Sequence, residues 1–284
     1  MKFCSRCLMI ETRPRISFDA EGLCNACQWA LAKKSDVDWG ARWKELDALV
    51  KKYKTRNHDK FDSILPTSGG KDSSYVAYQV KESLGMNPLM VTLHPPLAYE
   101  IGTRNLEESI KKGFDHIRIS PNYEVDRVLA RKYFIEQGQP LMAWMMSVQT
   151  AIFRAAVIFD IPFVMFGEEG ETEYGGSKRL QNKATYDIDD SIKLYLSGNT
   201  PNMSLKNLGL RIKKYFGGHI LRRSSLGAWI RLLPIGHILR IGIRIEIMWW
   251  QKRKWGFLRH LTGLSGHIII LHRQIQSSTI YMFI

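Results

Sequence analysis

The chain has no cysteine after Cys27. That absence leaves residues 28–284 without a thiol nucleophile and rules out a disulfide framework running through the molecule. Long apolar runs are missing too: Ile268-Ile269-Ile270-Leu271 and its neighbours are short and interrupted by Arg, which excludes a bilayer span. Met1-Lys2-Phe3-Cys4 carries no apolar stretch of the kind a secretory leader has, so a reducing, cytoplasmic setting is expected, with no membrane partner. Acidic side chains are nearly absent from the last quarter. Residues 211–284 hold one, Glu246, against 13 Lys and Arg, whereas residues 1–210 are close to neutral with 28 basic and 26 acidic residues. A near-neutral body gives little attraction for nucleic acid.

All four cysteines fall in the first 27 residues, as Cys4-x-x-Cys7 and Cys24-x-x-Cys27 with 16 residues between the pairs. Two tight turns of this spacing present four thiolates, which suits a tetrahedral, structural Zn²⁺ site. Thirty residues bury little core, so the metal would supply the folding energy of this knuckle. A helix follows, with Trp39, Trp43, Leu46, Val50 and Tyr53 at helical spacing, and is read as packing surface.

Residues Ser68-Gly69-Gly70-Lys71-Asp72-Ser73 follow the short apolar run Ile64-Leu65 and precede a helical pattern, Val76, Ala77, Val80 and Leu84, with Gly85 at its end. A strand, a Gly-rich turn and a helix start together make an anion site, because the turn lets backbone N–H groups converge on one point. The loop is not a Walker A element, which requires Gly where Leu65 stands. Such a site suits a phosphate, so a nucleotide ligand is expected.

From residue 60 apolar strands alternate with helices: strands at about 62–66, 89–93, 116–120 and 163–166, and helices at about 72–84, 103–112, 123–136 and 148–159. That alternation predicts an α/β fold with a doubly wound parallel sheet, and ligands in such sheets lie beyond the C-terminal strand ends. Three segments reach that edge. One is the Ser68–Ser73 loop. The second, His94-Pro95-Pro96, reads as a rigid exit from a strand. The third, Gly167-Glu168-Glu169-Gly170-Glu171, is either a solvated acidic loop or a source of carboxylates as Mg²⁺ ligands or acceptors for a substrate amine, with Glu168 foremost, and Asp72 is a further candidate ligand. Downstream, Tyr174-Gly175-Gly176-Ser177-Lys178-Arg179 is either a basic turn that meets a diphosphate or sugar, or a plain surface loop.

The loop S-G-G-K-D-S resembles the pyrophosphate loop of the ATP-pyrophosphatase enzymes. The order of a four-Cys knuckle, a short helix, that loop, E-E-G-E-T-E-Y-G-G-S and then Tyr195-Leu196-Ser197-Gly198-Asn199 resembles the N-acetyl sugar amidotransferase family of bacterial surface-polysaccharide and nonulosonic-acid pathways. The resemblance spans about residues 1–210. It implies ATP held by Ser68, Gly69, Gly70, Lys71, Asp72 and Ser73, Mg²⁺ aided by a carboxylate such as Glu168, and Lys71 and Asp72 in the catalytic machinery. Glu169, Glu171, Tyr174 and Lys178 would lie toward an acetamido sugar. It also implies adenylation of the amide oxygen and displacement of AMP by ammonia from a separate glutaminase partner, in keeping with the lack of a spare thiol. Two other readings stay open: a tRNA-thiolating or tRNA-modifying enzyme, and a zinc-ribbon interaction protein without catalysis.

The domains expected are a knuckle over 1–35, a connecting helix over 36–58, the ATP-handling domain over 59–205 and a basic tail over 206–284. In the tail, Gly236–Trp250 (G-H-I-L-R-I-G-I-R-I-E-I-M-W-W) regroups, on shifting plausible codons by one nucleotide, to W-S-Y-F-E-N-W-D-S-Y-R-N-Y-V-V. The same shift turns His267–Phe283 into T-Y-N-Y-T-A-Q-T-N-S-K-L-Y-D-L-H-V, and residues around Gly217–Arg223 into W-W-T-Y-S-S-S. These strings are similar to the C-terminal half of the amidotransferase family. Residues from about Leu205–Arg211 onward are therefore expected to be out of frame, without a native fold of their own, and their charge to carry no functional meaning.

Overall fold

The structure, a computed structural model, describes residues 1–54, 60–182, 188–198 and 231–233. The chain divides into two compact units. One contains Met1–Trp39 together with Glu169–Lys183, and the other contains Gly40–Glu168 with the described residues after 187. The greater part of the stretch 206–284 lies outside the described residues, and so does Asn199.

The larger unit is a parallel α/β sheet. Its helices and strands run in the order α2 (Trp39–Tyr53), β1 (Ser63–Pro66), α3 (Lys71–Tyr78), β2 (Pro88–Leu93), α4 (Glu100–Lys111), β3 (Asp115–Ile119), α5 (Tyr123–Gln137), α6 (Met142–Ile158), β4 (Phe163–Met165), α8 (Ile188–Tyr195) and β5 (Arg231–Leu233). Strand order across the sheet is β3-β2-β1-β4-β5, and every pairing is parallel. Register runs through Ser63 opposite Pro88, Leu89 opposite Asp115, and Ile64 opposite Val164. The expected fold class is thus the one observed. β5 falls within the stretch read as out of frame. Its pairing with β4 is made by backbone groups, which any short extended segment supplies.

The core follows from the apolar strands. Ile64, Leu89, Val91 and Val164 are packed against Ile152, Phe153, Ala155 and Ala156 of α6. A second cluster joins Val125, Leu129 and Tyr133 of α5 to Met142, Ala143 and Met146 of α6 and to Leu196. α2 buries Leu46 and Val50 and stacks Tyr53 on Phe163 with ring centroids 5.0 Å apart, so that part of its apolar stripe is packing surface, whereas Trp43 of the same stripe is exposed. α3 is prolonged by a π-helical turn over Gln79–Ser83, and Gly85 beyond it takes the left-handed conformation (φ +59°).

α6 begins six residues before the expected helix. Met142-Ala143-Trp144-Met145-Met146 is apolar on every side, so it shows no 3.6-residue period to read, yet four residues of its first two turns are buried. α5 starts as a helix should: the Asn122 side chain accepts from the Val125 N–H at 3.1 Å, and Gly138 closes the end in the left-handed region.

The smaller unit holds the four cysteines, α1 (Asn25–Ser35) and the short helix α7 (Gly170–Tyr174). Isolated antiparallel bridges, Phe3 with Ile10 and Phe18 with Cys24, close the two cysteine turns. No helix among the described residues is long and apolar enough to cross a membrane.

Candidate functional site

Strand order reverses between β1 and β4, since β1 leads outward to β2 and β3 while β4 lies on its other side. That switch point is where a doubly wound sheet opens a crevice. The segment leaving β1 there is Thr67–Ser73, and the segment leaving β4 is Phe166-Gly167-Glu168. The two meet. A Cβ added to Gly167 would stand 3.1 Å from both Cα and N of Ser73, so the segment leaving β4 lies directly against the first turn of α3, and a side chain there would push the two backbones apart by a few tenths of an ångström. Glu168 follows and is exposed.

The loop is built by a small set of polar contacts. Thr67 sits at its root. Its N–H continues the sheet by donating to Val91 O at 3.0 Å, its Oγ1 accepts from Gly69 N–H at 3.4 Å, and the same hydroxyl lies 3.1 Å from Ser73 Oγ. Ser73 Oγ donates onward to Gly70 O at 3.2 Å. On the other side, Thr92 Oγ1 donates to Thr67 O at 2.6 Å, and His116 Nε2 stands 2.9 Å from that hydroxyl. A hydroxyl that donates to a carbonyl must receive from the imidazole, so His116 carries its proton on Nε2. Because C=O and N–H of a trans peptide point opposite ways, holding Thr67 O toward β2 turns the Ser68 N–H away from β2.

Gly69 takes φ +77°, and its Cα lies so close to Gly102 O of α4 that a side chain would overlap it. Asn105 Nδ2 donates to Gly69 O at 2.8 Å, fastening the turn to α4. Gly70 is the N-cap of α3 and brings no side chain to the first-turn N–H groups, which by helix geometry have no acceptor within the helix. A helix start with no side-chain cap is suited to receive an anion. Lys71 is more than half exposed, and its Nζ lies 2.7 Å from Asp72 Oδ2. Beside the loop, Arg118 Nη2 donates to His94 Nδ1. Burial first and the Arg118 charge second lower the His94 pKa, and the same causes lower that of His116, so both rings are neutral near pH 7.

In the smaller unit the four Sγ atoms all lie within 4.8 Å of one another, with Cys4–Cys27 at 4.0 Å and Cys7–Cys24 at 3.6 Å. A tetrahedral shell of thiolates about 2.3 Å from zinc has S···S edges of about 3.8 Å, so the donor set and its spacing fit Zn²⁺. Burial alone would raise the Cys4 thiol. The backbone N–H groups of Cys7, Cys24 and Arg6 outweigh it and hold Cys4 at about 6, while burial raises Cys24 and Cys27.

The remaining acidic candidates also lie in this unit. Glu169 caps α7, accepting from Thr172 N–H at 2.7 Å and from Thr172 Oγ1 at 2.9 Å. Glu171 is buried and ion-paired with Arg15. Tyr174 lies under the Arg13 guanidinium, 5.8 Å from the ring centroid, and Lys178 is exposed in the following turn. The larger unit therefore gathers Ser68–Ser73 and Glu168, and the smaller one holds Glu169, Glu171, Tyr174, Lys178 and the cysteines. Sequence reasoning missed Thr67 at the loop's root, and Thr92, Gly102, Asn105 and His116, which shape the loop from β2, α4 and β3.

Neither a family model nor a curated protein matches the chain. Among solved structures it is similar to an NH3-dependent NAD synthetase from Campylobacter jejuni, at 14% identity over 48% of this chain and 59% of that one, with a TM-score of 0.34. A predicted subunit of tRNA methyltransferase from Methanocaldococcus jannaschii is 21% identical over 48% of this chain and 62% of that one, with a TM-score of 0.29. An NMN synthetase from Francisella tularensis is 11% identical over 68% of this chain and 93% of that one, with a TM-score of 0.30. The chain spans about three fifths of the length of the first two.

Proposed function

We propose that this chain is an ATP-dependent amidotransferase that adenylates the amide oxygen of an acetamido sugar and replaces that oxygen by ammonia. The observation that carries the ATP half is the Ser68–Ser73 loop at the β1/β4 switch point, closed from behind by Gly167. The sugar half rests on the combined order of the cysteine knuckle, the loop and the E-E-G-E-T-E-Y-G-G-S segment.

ATP phosphates bind to the loop N–H groups and the start of α3, with Lys71 offsetting charge on the leaving pyrophosphate. The amide oxygen attacks the α-phosphorus and pyrophosphate departs, leaving an O-adenylyl imidate. Ammonia adds to the imidate carbon, AMP leaves with the former amide oxygen, and an amidine remains. Positioning and charge stabilisation are the protein's work in both steps. Asp72 and Glu168 would help hold Mg²⁺, which would neutralise phosphate charge when bound. Cys4, Cys7, Cys24 and Cys27 would hold a structural Zn²⁺. Ammonia comes from a separate glutaminase, as the chain has no thiol outside that set. Residues from about Leu205–Arg211 onward are read out of frame, so the substrate half of the site is incomplete in this polypeptide.

A tRNA-modifying enzyme is the second reading, favoured by the 13 basic residues of 211–284 if these are in frame. ATP–pyrophosphate exchange separates the two. On the frame-corrected chain, exchange stimulated by an acetamido sugar and not by tRNA is expected. Stimulation by tRNA alone would select the second reading, and no exchange with either would remove both.

A further inference from the structure

Asn25, Trp29 and Lys33 follow one another at four-residue spacing, so they form one line along α1. All three reach the acidic segment after β4. Asn25 Nδ2 donates to Gly175 O at 3.0 Å, Trp29 Nε1 to Thr172 O at 2.5 Å and Lys33 Nζ to Glu173 O at 2.9 Å. These carbonyls belong to the last turn of α7 and the residue beyond it, groups that a helix leaves without internal donors. The Lys33 charge suits a helix C-terminus as well. Arg15, which lies between the two cysteine pairs and has a left-handed backbone (φ 61°), adds the ion pair to buried Glu171. Gly175 lies flat on Trp29: a Cβ there would stand 2.5 Å from the Trp29 Cβ.

Five residues form too few hydrogen bonds to stay helical unaided, so α7 depends on these contacts for its shape. α1 is itself only 11 residues long. Its N-cap is Cys24 and its first turn contains Cys27, so one cysteine pair of the knuckle fixes where the helix begins and how it is turned.

We propose that the four-cysteine knuckle is a metal-dependent clamp on residues 169–176, in which Arg15, Asn25, Trp29 and Lys33 are positioning residues. The inference rests on reading the knuckle as a metal site. Metal holds Cys24 and Cys27, these orient the stripe on α1, and the stripe holds the acidic segment in its helical form. The segment joins the larger unit through Glu168, so the clamp acts on the chain that leaves β4.

Hydrogen exchange read by mass spectrometry on the full reduced chain tests it. Removing bound zinc with a chelator is expected to speed exchange of the 169–176 amides about tenfold or more, with peptides from β1, β2 and β3 unchanged. Arg15→Gln and Trp29→Phe in zinc-loaded protein are expected to speed the same amides without loss of zinc, and Arg15→Lys to restore protection. Zinc verified as bound and then removed, with residues 169–176 unaffected, overturns the clamp alone. The same holds if the Arg15 and Trp29 variants leave those amides as they were. A reduced chain that binds no zinc overturns the metal reading and the metal dependence together.

Discussion

The Thr92 hydroxyl donates to the Thr67 carbonyl at 2.6 Å, so a side chain near the C-terminal end of β2 sets the direction of the peptide that opens the Ser68–Ser73 loop. Both residues are buried, and His116 supplies the hydroxyl's second partner. Thr92→Val keeps the shape and removes the donor. It leaves one carbonyl and one imidazole N–H without a partner, at a cost of about 1–3 kcal/mol in stability. Denaturant unfolding should show that loss, and nucleotide titration should show weaker ATP binding than the stability change alone explains. Unaltered ATP affinity in a folded variant would count against this role for Thr92.

Gly69→Ala is expected to be more damaging to binding than to folding. A methyl group there meets Gly102 O and sits on a left-handed backbone. Relief requires the loop to move away from α4, breaking the Asn105 contact. ATP affinity should fall at least about tenfold, with a stability loss of about 1–3 kcal/mol. Isothermal titration beside thermal unfolding reads both.

Lys71→Met removes the cation at the loop mouth without touching the backbone N–H cradle. The exchange of pyrophosphate into ATP should slow by about 10²-fold, in the range seen when one stabilising donor is lost. ATP binding should weaken less. A variant with full exchange activity would take Lys71 out of the mechanism.

His94 and His116 make acid destabilising at an unusually high pH. Both folded-state pKa values lie below the ordinary imidazole value, because of burial and of Arg118, the cation facing His94. The unfolded chain therefore takes up protons first. Stability is full above about pH 6.5 and is lost as pH falls from there through the lower folded values. The melting temperature should drop between pH 7 and pH 5, ahead of carboxylate titration, and His116→Gln should flatten part of that drop. A flat profile in that window for the parent chain contradicts the assignment.

The out-of-frame reading of residues beyond about Leu205–Arg211 has a direct check in the gene. The codons for Gly236–Trp250 and His267–Phe283 should yield the regrouped strings when shifted by one nucleotide. Codons that cannot do so would restore the basic tail, and with it the case for an RNA partner.

Sequence patterning carried much of this fold. The phosphate loop, four strands and the cysteine knuckle each have a local signature: a Gly-rich turn after an apolar run, strands punctuated by Gly113 or Gly167, and paired C-x-x-C turns. The start of α6 had none, since Met142–Met146 is apolar throughout and has no polar face to mark its period. The supports of the loop were equally hidden. Thr92 and His116 look like ordinary strand residues, and only strand order brings them beside Thr67. For the acidic segment, sequence order tied Glu169 and Glu171 to Glu168. Arg15, some 150 positions away, takes Glu171, and no local pattern announces such a pairing. The spacing of Asn25, Trp29 and Lys33 was the visible signal that went unread.

Those three side chains differ in length and shape: a short amide, a broad indole and a long ammonium. Together they make a keyed surface. Slide α7 along it by one turn and a residue with a side chain would face the indole where only Gly175 fits. The stripe thus selects one alignment of the acidic segment out of several that a uniform row of hydrogen-bond donors would accept.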